Sequence, residues 1–243
     1  MSAPHDVPTF FVSPPHTCGY LEGREAVTLF LDPARRPTRP LYAHLARHGF
    51  RRSGEHLYRP RCPGCSACVP VRVPVDVFQP NRSQRRCLAG NRDLHLERRP
   101  FAFDEAQFEL YRRYMAWRHP GSSMDDPEPD HYLACFASSW GETETFSWYA
   151  EERLVSVAIV DLLEDGFSAV YTMFDPCAAR RGPGNFAVLR QVELARDAGL
   201  DWVYLGYWIG ASPKMAYKIG FRPLEWYGDG RWHRLDPGAP VPS

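Results

Sequence analysis

Three cysteines, Cys62, Cys65 and Cys68, stand three residues apart in a segment that also carries Tyr58, Arg59, Arg61 and Arg72. Pro63 and Gly64 allow a tight loop that would draw these thiols together, and thiolates so placed suit zinc or an iron–sulfur centre. Cys18 or Cys87 would complete a tetrahedral set, and the nearby arginines favour the thiolate form. The competing reading is a group of small buried cysteines beside a loop. Arginines also gather at Arg47, Arg51 and Arg52, at Arg59 and Arg61, and at Arg82, Arg85 and Arg86. Guanidinium groups at this density suit phosphates, and the interleaved Phe50, Tyr58 and Phe78 could stack on unpaired bases. A basic face without nucleic acid explains the same pattern. Further on, Tyr207 and Trp208 close a strand, and Lys214, Tyr217 and Lys218 follow on a helical stretch. Lys214 and Lys218 are the only lysines, and at i, i+4 they repel unless an anion or water separates them. No Walker sequence, no Gly-x-Gly-x-x-Gly after a strand, no nucleophile elbow and no His-Glu-x-x-His is present. This fits a reaction whose electrophile arrives already activated and needs positioning, proton removal and an oxyanion site.

These residues must be held by a chain of 243 residues that is 44% hydrophobic and 24% charged, ample for buried cores. Net charge is zero, but residues 1–100 hold 16 Arg against 8 acidic side chains, and residues 101–243 hold 13 Lys and Arg against 21. A basic front and an acidic rear result, and the front could meet a polyanion. No stretch approaches the 18 or so apolar residues of a membrane span, and residues 1–10 lack a basic start before an apolar run, so the expected compartment is the cytoplasm. The seven cysteines, an odd count, argue against a disulfide framework.

Prolines break the first forty residues into irregular chain, with a helix expected over 41–48. Alternation over 69–78 puts Val69, Val71, Val73, Val75 and Val77 on one face of a strand. Pro70 and Pro74 lack ladder donors, so an edge or interrupted strand is expected. Beyond a boundary near Pro100, Phe108, Tyr111, Met115 and Trp117 mark a helix after Asp104, and a polar loop spans 124–130. Strands are expected over 144–149, 154–163, 168–174 and 202–207, a helix over 185–198, a short helix over 213–220 and two final short strands. The order implies an α/β (α+β) class, a mixed sheet flanked by helices, as in N-acetyltransferase-like (GNAT) acyltransferases, with an N-terminal subdomain packed against it. The expected division is 1–100 as a cysteine- and arginine-rich domain, 101–236 as a catalytic domain and 237–243 as a flexible tail.

A family resemblance rests on Cys18-Gly-Tyr, Tyr58-Arg-Pro, Cys68-x-Pro-x-Arg72, Asn81-Arg-Ser-Gln-Arg-Arg86, Tyr171-x-x-Phe-Asp-Pro176, Leu205-Gly-Tyr-Trp-Ile209, Lys214-Met-x-Tyr-Lys218 and Phe221-Arg-Pro-Leu224. From about Phe10 to Leu235 the chain resembles the bacterial aspartate/glutamate leucyltransferases, relatives of the eukaryotic arginyl-tRNA–protein transferases. The resemblance implies transfer of leucine from charged Leu-tRNA to the N-terminal amine of proteins that begin with Asp or Glu, which creates a degradation signal. It implies no membrane and no DNA partner. Asp175 and Tyr171 are the expected catalytic pair, with a plain Asp–Pro turn as the competing reading of Asp175. Arg72, Lys214, Tyr207, Trp208, Tyr217 and Arg222 are the expected substrate-binding residues. Arg82, Arg85, Arg86, Tyr58 and Arg59 are expected to hold the tRNA. No cofactor is required, but a zinc or iron–sulfur centre on Cys18, Cys62, Cys65 and Cys68 is an open expectation. Eukaryotic relatives carry a second Cys where this chain has Leu21 and a Cys pair where it has Ala67–Cys68. Family members show Ser-Leu-Gly where this chain has Gly182-Pro-Gly184. The alternatives are an arginyl donor, a thioester-dependent small-molecule N-acyltransferase whose phosphate loop would be Arg180-Arg-Gly-Pro-Gly-Asn185, and a non-catalytic RNA-binding or zinc module.

Overall fold

Period-two runs become strands and period-3.6 runs become helices along most of the chain, and a computed structural model describes residues 8–121 and 127–240. Residues 124–126 of the polar loop and the end of the tail lie outside the described residues. The front of the chain forms β1 (Phe10–Val12), β2 (His16–Thr17), β3 (Glu25–Ala26), β4 (Thr28–Leu31), α1 (Arg39–Arg47), β5 (Arg51–Ser53), β6 (His56–Pro60), β7 (Val69–Pro74), α2 (Arg82–Ala89) and β8 (Leu94–Pro100). The rear forms α3 (Glu105–Arg118), α4 (Pro129–Phe136), β9 (Thr143–Ala150), β10 (Arg153–Leu162), β11 (Gly166–Phe174), α5 (Pro183–Asp197), β12 (Trp202–Trp208), β13 (Leu224–Gly228) and β14 (Arg231–Leu235). Single 3₁₀ turns span Pro176–Arg181 and Ala216–Gly220, so the helix expected over 213–220 is only a short turn.

The main sheet has eight strands in the order β14-β13-β7-β12-β11-β10-β9-β8, with helices against it. Only β11 and β12 run parallel, joined by α5 as a βαβ crossover. A smaller antiparallel sheet, β1-β4-β6-β5, makes the N-terminal subdomain together with α1. The result is a mixed α/β fold. The main sheet crosses residue 100 in both directions, because β7 and β8 belong to it.

Of the two expectations for β7, edge or interrupted strand, the structure shows an interior strand whose pairing is interrupted. Its ladder to β13 covers only Val71 and Arg72 and stops short of both Pro70 and Pro74. Val71, Val73 and Val75 are buried with Phe186, Leu189 and Val192 of α5, whose apolar stripe follows helical spacing. Val77 lies past the strand end and is exposed. On the other face, Phe108, Tyr111 and Met115 of α3 pack with Tyr132, Phe136, Val157 and Met173.

Ion pairs clip the subdomain to the main sheet. Arg52 donates to both oxygens of Asp161 at 2.7–2.8 Å, both side chains being almost wholly buried. The Tyr42 and Thr143 hydroxyls also donate to Asp161. Arg47 pairs with Asp165 at 2.7 Å. Gly54, at φ +54°, donates its N–H to Cys135 O, and a Cβ there would lie 2.2 Å from Ala134 O, so only glycine fits. Among the described residues no helix is long and apolar enough to cross a membrane.

Candidate active site

The parallel pair holds for three residues, 166–168 against 202–204, and then separates. Separation strands carbonyls that a continuous ladder would satisfy. Arg51, 8% exposed, fills the gap: its guanidinium donates to Tyr204 O at 3.1 Å and to Ala169 O at 2.6 Å, one carbonyl on each diverging strand. Opposite it, β12 shifts register between Tyr204 and Gly206. Gly206 sits at φ +80°, and a Cβ there would lie 3.3 Å from the Arg51 Nε.

Beyond this wedge the two strands form the walls of a cleft of about 390 Å³. Tyr114, Trp117, Tyr171 and Phe174 make an aromatic side, and Gly182, Gly184 and Asn185 at the start of α5 make another. Four basic side chains, Arg118, His119, Lys214 and Lys218, line it, and no Asp or Glu does among the described residues. Lys214 Nζ lies 2.8 Å from His119 Nδ1; burial and then the Lys214 and Arg118 charges lower the His119 pKa. Lys218 is buried, with Nζ 2.7 Å from Tyr207 O and 3.4 Å from Met215 Sδ. Burial, then the Arg51 charge, lowers its pKa from 10.5 to about 7.

Helix α2 is fastened beside both walls. Asn81 and Gln84 form a reciprocal capping box at its start. The Gln84 amide reaches Gly220 O at 3.1 Å, while the Asn91 amide beyond the other end reaches Arg181 O at 2.9 Å. Arg82, Arg85 and Arg86 lie on its exposed face. Apolar periodicity predicts no helix here, although Asn-x-x-Gln followed by Gly90 is a capping signature with a stop.

The structure separates the other candidate residues. Tyr171 lines the cleft, its hydroxyl donating to Met115 Sδ, with its pKa raised by burial and by Tyr114 and Tyr111. Tyr217 and Lys214 also line it. Asp175 does not: it caps the 3₁₀ turn by accepting from the Cys177 N–H and pairs with Arg153. Burial opposes its ionisation, but those hydrogen bonds prevail and hold its carboxyl below the ordinary value, so it is a weak base. Arg72 lies between the Trp202 and Trp232 rings and is paired to Glu225 at 2.7 Å, which joins β7 to β13. Arg222 holds the tail through Ala239 O. Tyr207 is buried and its hydroxyl donates to Gly49 O, Trp208 is core, and Arg59 is tied to His48 O while Tyr58 packs near Tyr207. Of the arginines that the sequence groups as a phosphate-binding face, Arg51 and Arg52 are engaged inside the protein, and Arg47 is exposed and paired with Asp165. Lys218, left out of the expected substrate-binding set, is the residue the cleft adds; the lysine pair at i, i+4 was its signal.

The metal expectation is overturned. Among the described residues no group of three or more His, Cys, Asp or Glu side chains is placed to hold a metal ion, so Cys18, Cys62, Cys65 and Cys68 do not form a centre. The Cys62 thiol is engaged with the Val27 backbone. Burial, and then the neighbouring thiols, push Cys68 up to about 12.

Comparison with known proteins places this chain in a family. Residues 16–86 match the family model described as Arginine-tRNA-protein transferase, N terminus, and residues 106–228 match the corresponding C terminus, which sets the class. An aspartate/glutamate leucyltransferase from Nitrosococcus oceani is 48% identical over 227 residues, 93% of this chain and 95% of the relative. Another from Chromohalobacter salexigens is 47% identical over 231 residues, 94% of this chain and 93% of the relative. The chain belongs to the aspartate/glutamate leucyltransferase family. Among solved structures, the C-terminal domain of a protein described as a lysylphosphatidylglycerol synthetase from Agrobacterium fabrum shares the fold. Its TM-score is 0.52 at 17% identity, over 82% of this chain and 65% of that one.

Proposed function

We infer that this protein transfers the leucyl group of charged Leu-tRNA to the α-amine of proteins that begin with Asp or Glu. Identity of 48% along nearly the full length of an aspartate/glutamate leucyltransferase carries the reading. We read the eight-stranded sheet with its diverging parallel pair as N-acetyltransferase-like, and the compartment as cytoplasmic. The functional division we propose has residues 1–100 supplying the RNA-facing arginines, 101–236 supplying most of the cleft and 237–243 as a tail, on one shared sheet.

The cleft chemistry supports this assignment. An aminoacyl ester is already activated, so the protein must bring an amine to its carbonyl and manage one proton. The acidic acceptor side chain would meet Lys214 and Arg118 in a cleft lined by cations. Arg72 and Arg222 are committed elsewhere and take no part in this assignment. Tyr171 and Tyr217 frame the entering groups, and Arg82, Arg85 and Arg86 grip the tRNA end from α2. The test is to incubate the protein with an Asp-starting peptide and each charged tRNA, then weigh the peptide. A gain of one leucyl residue with Leu-tRNA is expected. A gain of arginine instead would move the donor, and transfer that survives ribonuclease treatment of the donor would overturn the reading.

A further inference from the structure

We propose that Lys218 takes the proton from the attacking amine and returns it to the departing ribose oxygen. This deepens the reading above and rests on it. Lys218 lines the cleft and is buried, where β11 and β12 have parted. Its hydrogen-bond partners are Tyr207 O at 2.7 Å and Met215 Sδ at 3.4 Å, and no carboxylate is among them. A neutral amine has two N–H groups and one lone pair. The two partners account for both hydrogens, and the lone pair remains to accept a proton. A buried lysine without an anionic partner favours the neutral form, because desolvation penalises the ammonium.

The surrounding charges act in the same direction. Arg51 of β5 approaches through the strand gap and lowers the proton affinity of Lys218. From the end of α3 and its cap come Arg118 and His119, from the turn that carries Lys218 comes Tyr217, and Lys214 lies just before that turn. Tyr171 on β11 and Tyr207 on β12 stay protonated, their pKa values raised by burial. No acidic group faces Lys218 among the described lining residues. With its pKa near 7, Lys218 is matched to an α-amine, whose ordinary value is about 7.7–8.0.

The step balances. As the N–C bond forms between the amine and the ester carbonyl, one amine proton passes to Lys218 Nζ. As the C–O bond to the ribose breaks, the same proton passes to the leaving oxygen. Amide and free tRNA hydroxyl result, and Lys218 ends neutral.

The two-lysine composition makes a direct test available. In K214R protein labelled at the lysine ε-carbon, the single remaining NMR signal should titrate near neutrality, and single-turnover leucyl transfer by the wild type should show an acid limb at the same midpoint. K218R, permanently charged, should bind Leu-tRNA normally yet transfer at least about a hundredfold more slowly. A signal that titrates only above pH 9 would overturn the proposal, as would K218R raising only the KM for the Asp-starting peptide with kcat unchanged, which would make Lys218 a reader of the acceptor carboxylate. If K218R fails to bind tRNA, the titration of the K214R protein decides alone. Wild-type transfer of leucine with any of these failures leaves the activity standing and removes only the role of Lys218.

Discussion

Asp175, a candidate catalytic residue in sequence, has its carboxylate engaged within the fold. Both of its carboxylate oxygens are used, one by the Cys177 N–H and one by Arg153. Its folded pKa lies below the ordinary 3.8, so its contribution to stability is present above about that pH and is lost as pH falls through the lower folded value. Wild-type protein should therefore lose melting temperature more steeply below pH 4 than Asp175→Asn, which should melt lower than wild type at pH 7. Thermal melts across pH 2.5–7 check this, and parallel curves would show that the pair contributes nothing. The arginines carry the same lesson. Arg52 and Arg82 are indistinguishable as letters, yet Arg52 is buried on Asp161 and Arg82 is exposed. Removing one partner of such a buried pair typically costs about 3–5 kcal/mol. Charge is legible in a sequence, but the carboxylate that neutralises it lies over a hundred positions away and is not.

At the scale of elements, α2 carries three exposed arginines beside the cleft. Its inner face is fixed by Gln84 and Cys87, which leaves its three arginines outward. Reversing all three to Glu should weaken Leu-tRNA binding and flatten its dependence on salt by about two units of log–log slope, since each lost single-strand phosphate contact removes about 0.7. A filter-binding series between 50 and 200 mM salt measures both, and an unchanged slope would show that the tRNA approaches elsewhere. Helix α5 and strands β9 to β12 were readable because their apolar periods are long and unbroken. Helix α2 was harder to read, because only its caps mark it: Arg82, Arg85 and Arg86 hide the apolar face. The cleft itself was unreadable. It arises where two strands part, and the gap is bridged by Arg51 from another sheet.

On the scale of the whole molecule, the front and rear of the chain share one sheet. β7 lies between β13 and β12, and β8 forms the far edge beside β9. A fragment beginning at residue 101 would lack the strand that joins β12 to the β13–β14 hairpin, along with the buried Arg52 that neutralises Asp161. It should show neither cooperative melting nor dispersed amide signals, and a well-folded fragment would show instead that the rear half stands alone. The motifs that identify the family lie on both halves, as a shared sheet requires.

The prolines of β7 acquire a purpose once time is considered. During synthesis, residues 69–74 emerge long before residues 202–208, the partners that cover one side. At about 5–20 residues per second, the wait is on the order of ten seconds. A bare valine strand left open that long would recruit neighbouring chains on the same message. Missing donors at Pro70 and Pro74 spoil it as a template for strangers, while the short ladder it finally makes to β13 does without them.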